Sequence, residues 1–99
     1  MRQVRQGEVR KKEMLFVVLS RWKGKVSKEN IEKTNKILAG EPRIKTMGFY
    51  WTFGRFDAIL IAEAPDEKTM MNVLLQAGDL AATETMLAVP REEAMKLLK

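Results

Sequence analysis

The stretch TMGFYWTFGRFDAILIAE, residues 46–63, limits the possible folds of this chain more than any other. Gly54-Arg55 in its middle has the form of a tight Gly-X hairpin turn. Opposed residues of a hairpin share a face, so setting Phe53 against Phe56 sorts the whole segment. One face becomes Met47, Phe49, Trp51, Phe53, Phe56, Ala58, Leu60 and Ala62, with no polar group but the indole N–H. The other is mixed: Thr46, Gly48, Tyr50, Thr52, Asp57, Ile59, Ile61 and Glu63. A slip of one residue would scramble both sets. The pattern predicts an antiparallel hairpin with Phe49, Trp51, Phe53 and Phe56 as the floor beneath the helices. Burying those four removes about 600–1,000 Å² from water, on the order of 15–25 kcal/mol gross. A stacked nucleobase is worth only about 1–3 kcal/mol, so these aromatics read as core.

The flanking segments complete a simple order. Residues 14–22, MLFVVLSRW, are a short apolar run rich in β-branched residues and read as a buried strand. After the turn at 23–25, Ser27 is an N-cap, with Val26 and Ile31 at hydrophobic-staple spacing. That helix runs to Ala39 and stops at Gly40; its apolar stripe, Ile31, Thr34 and Leu38, is narrow. Residues 43–53 and 56–64 are the hairpin strands. Pro65-Asp66 starts a helix reaching about Gly78, with Met70, Val73, Leu74 and Ala77 on one face. Residues 81–89 are a last strand, and Pro90 opens a short helix carrying Ala94, Leu97 and Leu98. The order β-α-β-β-α-β is an α+β, ferredoxin-like arrangement, with both long helices on one face of a four-stranded antiparallel sheet.

Charge and composition narrow the chemistry. The chain of 99 residues is short for more than one domain. Residues 1–13 read as a basic arm and residues 14–99 as the domain. Arg2, Arg5, Arg10, Lys11 and Lys12 against Glu8 give residues 1–12 a net +4 of the chain's +5. The arm is expected to be a solvated tail. Met14 is also a candidate start, which the intact mass of protein from its source cell decides. With no cysteine there is no disulfide or thiolate metal site, and with no histidine the commonest base and metal ligand is missing. No cofactor and no metal is expected. No apolar run is long enough for a membrane span. A cytoplasmic protein fits this composition.

The motifs GRFD at 54–57, EAPDE at 63–67 and TETMLAVPREE at 83–93 resemble the GYD domain family. The positions that carry the resemblance are Tyr50, Thr52, Gly54, Arg55, Phe56, Asp57, Glu63, Ala64, Pro65, Asp66, Thr83, Glu84 and Thr85. Phe56 stands where the family has its motif tyrosine, so a role for that phenol is absent. The resemblance spans residues 14–98. It implies a dimeric α/β barrel, in which two ferredoxin-like sheets face each other, but it brings no reaction.

The mixed face, with Ile59 and Ile61 at its centre, calls for a cover, most simply the sheet of a second copy. Asp57 and Glu63 there would need partners, for which Arg21, Arg43, Lys45 and Arg55 are near in sequence. The chain is therefore expected to be a homo-oligomeric small-ligand binding or sensing module. Its candidate site residues, between the facing sheets, are Tyr50, Thr52, Asp57 and Glu63, with Glu84 and Thr85 from the last strand. The alternative is a cofactor-free monooxygenase- or isomerase-like enzyme. It would use Glu63 or Asp57 as a base in the barrel interior, with Tyr50 orienting the substrate. RNA-recognition domains share the element order but need exposed sheet aromatics and a basic-aromatic third strand. Here that strand reads FDAILIAEA, which argues against nucleic acid as a partner.

Overall fold

The computed structural model describes residues 13–98. The basic arm, apart from its last residue, and the basic residues assigned to it lie outside the described residues. Strand β1 (Met14–Trp22) is followed by α1 (Lys28–Ala39), β2 (Lys45–Trp51), β3 (Ala58–Ala64), α2 (Glu67–Gln76), β4 (Ala81–Ala88) and a short α3 (Arg91–Met95). The four strands form one antiparallel sheet in the order β2-β3-β1-β4. This is the ferredoxin-like fold expected from the sequence. Ser27 caps α1 by accepting the Asn30 N–H at 3.1 Å. Asp66 caps α2 by accepting both the N–H and the hydroxyl of Thr69, at 2.8 and 2.7 Å.

The core lies where β1 and β3 meet α2. Phe16 and Val18 oppose Ala62 and Leu60, and Met70 and Val73 of α2 are buried with them. The small side chains of Ala62 and Ala64, both wholly buried, give α2 room to settle on β3. Ile44 closes one side of this core, and Met14, Ile37, Leu38 and Leu74 pack against it. In contrast, α1 has no fully buried residue. Ile31, Thr34, Ile37 and Leu38 are only half-buried, so α1 stands off the sheet.

That spacing corrects the aromatic floor. Phe49 and Trp51 do face the helix side, opposite Leu60 and Ala58, but they are 41% and 62% exposed. Phe53 is fully exposed. The strands end at Trp51 and Ala58, and the hairpin closes through Thr52 N–H to the Asp57 carbonyl at 2.8 Å. The loop is thus residues 53–56 rather than Gly54-Arg55 alone, and Phe53 sits beyond the reach of the helices. Gly54 has φ 94°, a conformation that explains glycine there. Phe56 is half-buried, with the Arg55 guanidinium 6.0 Å from its ring centre.

The register matches the sorted faces from Gly48 to Trp51: Gly48, Phe49, Tyr50 and Trp51 oppose Ile61, Leu60, Ile59 and Ala58. Below Gly48 a bulge at Met47 shifts it, so Thr46 rather than Met47 opposes Ala62, and Lys45 rather than Thr46 opposes Glu63. The Tyr50 ring lies back over Gly48, where an added Cβ would come within 2.8 Å of it. The aromatic thus covers the backbone that glycine leaves bare.

The α1–β2 connection is fixed by Glu41. Its carboxylate accepts Nε and Nη2 of Arg43 at 2.9 and 2.8 Å, and the Arg43 backbone N–H at 3.2 Å. Those side-chain and backbone hydrogen bonds hold the Glu41 carboxyl below its ordinary value of 4.5. A carboxyl with a lowered folded-state value stabilises the fold fully above its ordinary value and loses that contribution as pH falls through the lowered one. Glu41→Gln is therefore expected to lower Tm at neutral pH, with the gap to wild type closing in acid. Thermal melts from neutral pH downward check this.

Candidate functional site

The stand-off of α1 opens a cavity of about 290 Å³ between α1 and the sheet. That is at the small end of the roughly 300–1,000 Å³ common for ligand pockets. Its floor is Val18, Ala58 and Leu60 of the sheet, with Val73 of α2 beside them, all buried. Trp22, Phe49 and Trp51 form one wall, and Ile31, Thr34 and Leu38 of α1 form the roof. Leu74 and Ala77 of α2 and Leu80 complete the lining, on the side where Lys23 donates to the Gly78 and Leu80 carbonyls. Lys23, Lys25, Val26, Asn35 and Thr83 are exposed lining residues at the rim, and the Phe49 and Trp51 rings also reach solvent there.

Strand alternation explains this lining. Ser20 opposes Ala58 on β3 and Thr83 on β4, so all three share the helix side of the sheet. The half-buried Ser20 side chain and that of Thr83 make no hydrogen bond among the described residues, which leaves two hydroxyls on a largely apolar surface. The Thr34 hydroxyl is used within α1, donating to the Asn30 carbonyl at 3.0 Å. Trp22 and Trp51 meet edge to face, with ring centres 5.0 Å apart at 77°, a favoured aromatic geometry. An apolar slot with an aromatic wall and a few hydroxyls suits a small, flat, largely apolar molecule.

None of the six residues singled out from the sequence lines this cavity. Tyr50, 56% exposed, lies on the opposite face of the sheet over Gly48. Glu63 is on that face too, opposite Leu15 of β1 and Lys45 of β2. Glu84, opposite Leu19, shares it. Thr85 opposes the buried Val18 and so belongs to the helix side, away from the other candidates. Thr52 closes the hairpin, its hydroxyl donating to the Phe56 carbonyl at 2.8 Å. Asp57 is bound into the scaffold: its N–H donates to the Ser20 carbonyl at 2.8 Å, and its Oδ2 accepts the Trp22 N–H at 2.9 Å. The carboxylate thereby carries the β3–β1 ladder one step past Ala58 and holds Trp22 in the cavity wall.

The expected ion partners sort differently as well. Arg43 pairs with Glu41, and Arg55 lies towards Phe56. Among the described residues, no cluster of three or more acidic, histidine or cysteine side chains is placed to hold a metal ion. No helix among them is long and apolar enough to cross a membrane.

Together the sheet order, the helices on one face and the cavity define a ferredoxin-like α+β domain with a largely apolar pocket beneath α1. More narrowly, the chain belongs to the GYD domain family, whose model matches residues 16–98. No curated protein matches it. Its fold is similar to that of an AsnC family transcriptional regulator from Agrobacterium tumefaciens, with a TM-score of 0.58 and 15% identity. That match covers 82% of this chain and 53% of the regulator, so the chain spans about half its length. It is also similar to a hypothetical protein from Pyrococcus horikoshii (TM-score 0.52, 20% identity, covering 81% of this chain and 94% of that one). A dimeric ferredoxin-like protein of unknown function from Thermobifida fusca matches at a TM-score of 0.48 and 14% identity, over 77% of this chain and 91% of that one. At these identities the likeness is one of fold.

Proposed function

We propose that this chain is a homo-oligomeric small-molecule binding module that holds its ligand in the cavity between α1 and the sheet. The observation that carries this reading is the cavity itself: about 290 Å³, apolar on its floor, walled by Trp22, Phe49 and Trp51, and roofed by a helix with no buried residue. A close-packed core leaves few such spaces. A helix that is only half-seated can close over a guest and gain the apolar burial it lacks when empty.

Self-association uses the other side of the sheet. There Leu15, Val17 and Leu19 of β1 run beside Ile59 and Ile61 of β3 and Met86 of β4, with no helix of the described residues over them. An apolar face of that extent is uncommon on a monomer, and a second copy presents a matching one. The sheet thus separates two tasks, pairing on one face and binding on the other. The charged side chains Glu63, Lys45 and Glu84 border the pairing face and set its register.

Thr34→Phe tests the site. Thr34 roofs the cavity, and among the described residues its hydroxyl bonds only within α1. A phenyl ring there fills the space, so stability is expected to stay level or rise by about 0.5–2 kcal/mol. Binding of 2-naphthalenemethanol, followed by quenching of Trp22 and Trp51 fluorescence, is expected to be lost. Unchanged binding with an intact fold overturns the assignment of the cavity.

A further inference from the structure

The cavity's charge is one-sided. Its lining includes Lys23 and Lys25 and, among the described residues, neither aspartate nor glutamate. The two lysines differ in availability. Lys23 is tethered, its Nζ donating to the Gly78 carbonyl at 2.7 Å and its backbone N–H to the Leu80 carbonyl at 3.1 Å. Lys25 is exposed and makes no hydrogen bond or ion pair among the described residues, so its ammonium is free to turn over the rim. Asn30 and Asn35 of α1 also line the cavity, and the amide groups of their side chains are uncommitted among the described residues. Trp22, Phe49 and Trp51 line the same cavity, Trp22 half-buried and Trp51 open to solvent at 62%.

From this arrangement, and resting on the reading of the cavity as a binding site, we infer that the ligand is an amphipathic anion: a small aromatic carboxylate. Its ring lies against the Trp22–Trp51 wall and its carboxylate meets Lys25 at the rim. The two ends of the site make different demands. The apolar floor offers no solvation to a charge, so a charged group must stay at the rim. At the rim an ammonium favours an anion and repels a cation. A cationic ligand of the same shape would meet two lysines and no compensating carboxylate. A neutral one would gain the burial but leave the Lys25 ammonium unused.

Three probes with one ring system separate this inference from the reading beneath it. They are 2-naphthoate, neutral 2-naphthalenemethanol and cationic 2-naphthylmethylammonium, each titrated against the full chain by fluorescence of Trp22 and Trp51. The expected order is naphthoate first, with roughly a tenfold advantage over the cation at low salt, shrinking as salt is added. Lys25→Glu is expected to erase or reverse the order, while Lys68→Glu, the same charge change on α2 away from the cavity, leaves it as in wild type. Circular dichroism checks the fold of each variant, and Lys25→Gln serves as the second variant if Lys25→Glu is unfolded. Equal binding of all three probes, or an anion preference that survives loss of Lys25, overturns the anionic ligand while leaving the cavity as a site. Absence of binding by every probe overturns both.

Discussion

Ile61→Asp is expected to turn a self-associated protein into monomers. Ile61 sits at the centre of the open sheet face, opposite Val17 on one side and Gly48 on the other. It is half-exposed in the single chain and forms no part of the buried cluster around Phe16, Leu60 and Met70. The substitution therefore leaves the monomer core alone and strikes only what covers the face. In a symmetric pairing it places two unpaired carboxylates within one dry interface. Truncating a central apolar anchor commonly costs 2 kcal/mol or more, roughly a thirtyfold loss in affinity, and an added charge costs further. Light scattering at micromolar concentration is expected to show an oligomer for wild type and a monomer for the variant. A wild-type monomer under those conditions contradicts pairing through the sheet.

The second large effect is expected at Asp57. Its carboxylate accepts the N–H that ends β1, and its own N–H continues the β1–β3 ladder. Asp57→Ala leaves the Trp22 N–H without its acceptor. Hydrogen bonds to charged groups contribute about 1.5–3 kcal/mol, and a loss in that range is expected in chemical denaturation. Asp57→Asn keeps an oxygen in place and should recover part of it. Because Trp22 packs edge to face on Trp51, the alanine variant should also shift tryptophan emission as the wall loosens. Full stability with unchanged emission in Asp57→Ala contradicts the scaffold role.

That role explains what the sequence disclosed and what it withheld. The motif residues are legible because they build turns. Thr52 and Asp57 clasp the hairpin, Gly54 takes a positive φ, and Asp66 caps α2. They disclose the fold through local chemistry, and local chemistry is what spacing records. The register from Gly48 to Trp51 was legible for the same reason, since alternation admits only one sorting. The bulge at Met47 was not, because one extra residue in a strand breaks the alternation that period-two counting assumes.

The cavity lay further from view. Whether Phe49 and Trp51 are floor or wall depends on how closely α1 descends onto the sheet, and that distance is set by tertiary packing. The alanines of β3 let α2 settle over Leu60 and Ala62, whereas α1 meets a strand end carrying Trp22, Phe49 and Trp51. One signal was present in the sequence. The stripe Ile31, Thr34, Leu38 is narrow and has a threonine at its middle, too little apolar surface to seat a helix over bulky aromatics. Asp57 and Tyr50 are candidates by sequence because polar groups on a covered face suggest chemistry. The structure gives the first a place in the sheet ladder and lays the second over a glycine.

The most direct test of the helix-side cavity as the binding site is a two-dimensional NMR titration of the full chain with 2-naphthoate. The largest shifts are expected at the indole N–H groups of Trp22 and Trp51 and at the amides of Ser20 and Thr34, which line the cavity. Shifts centred instead on Tyr50, Glu63 and Glu84, on the opposite face of the sheet, would contradict it.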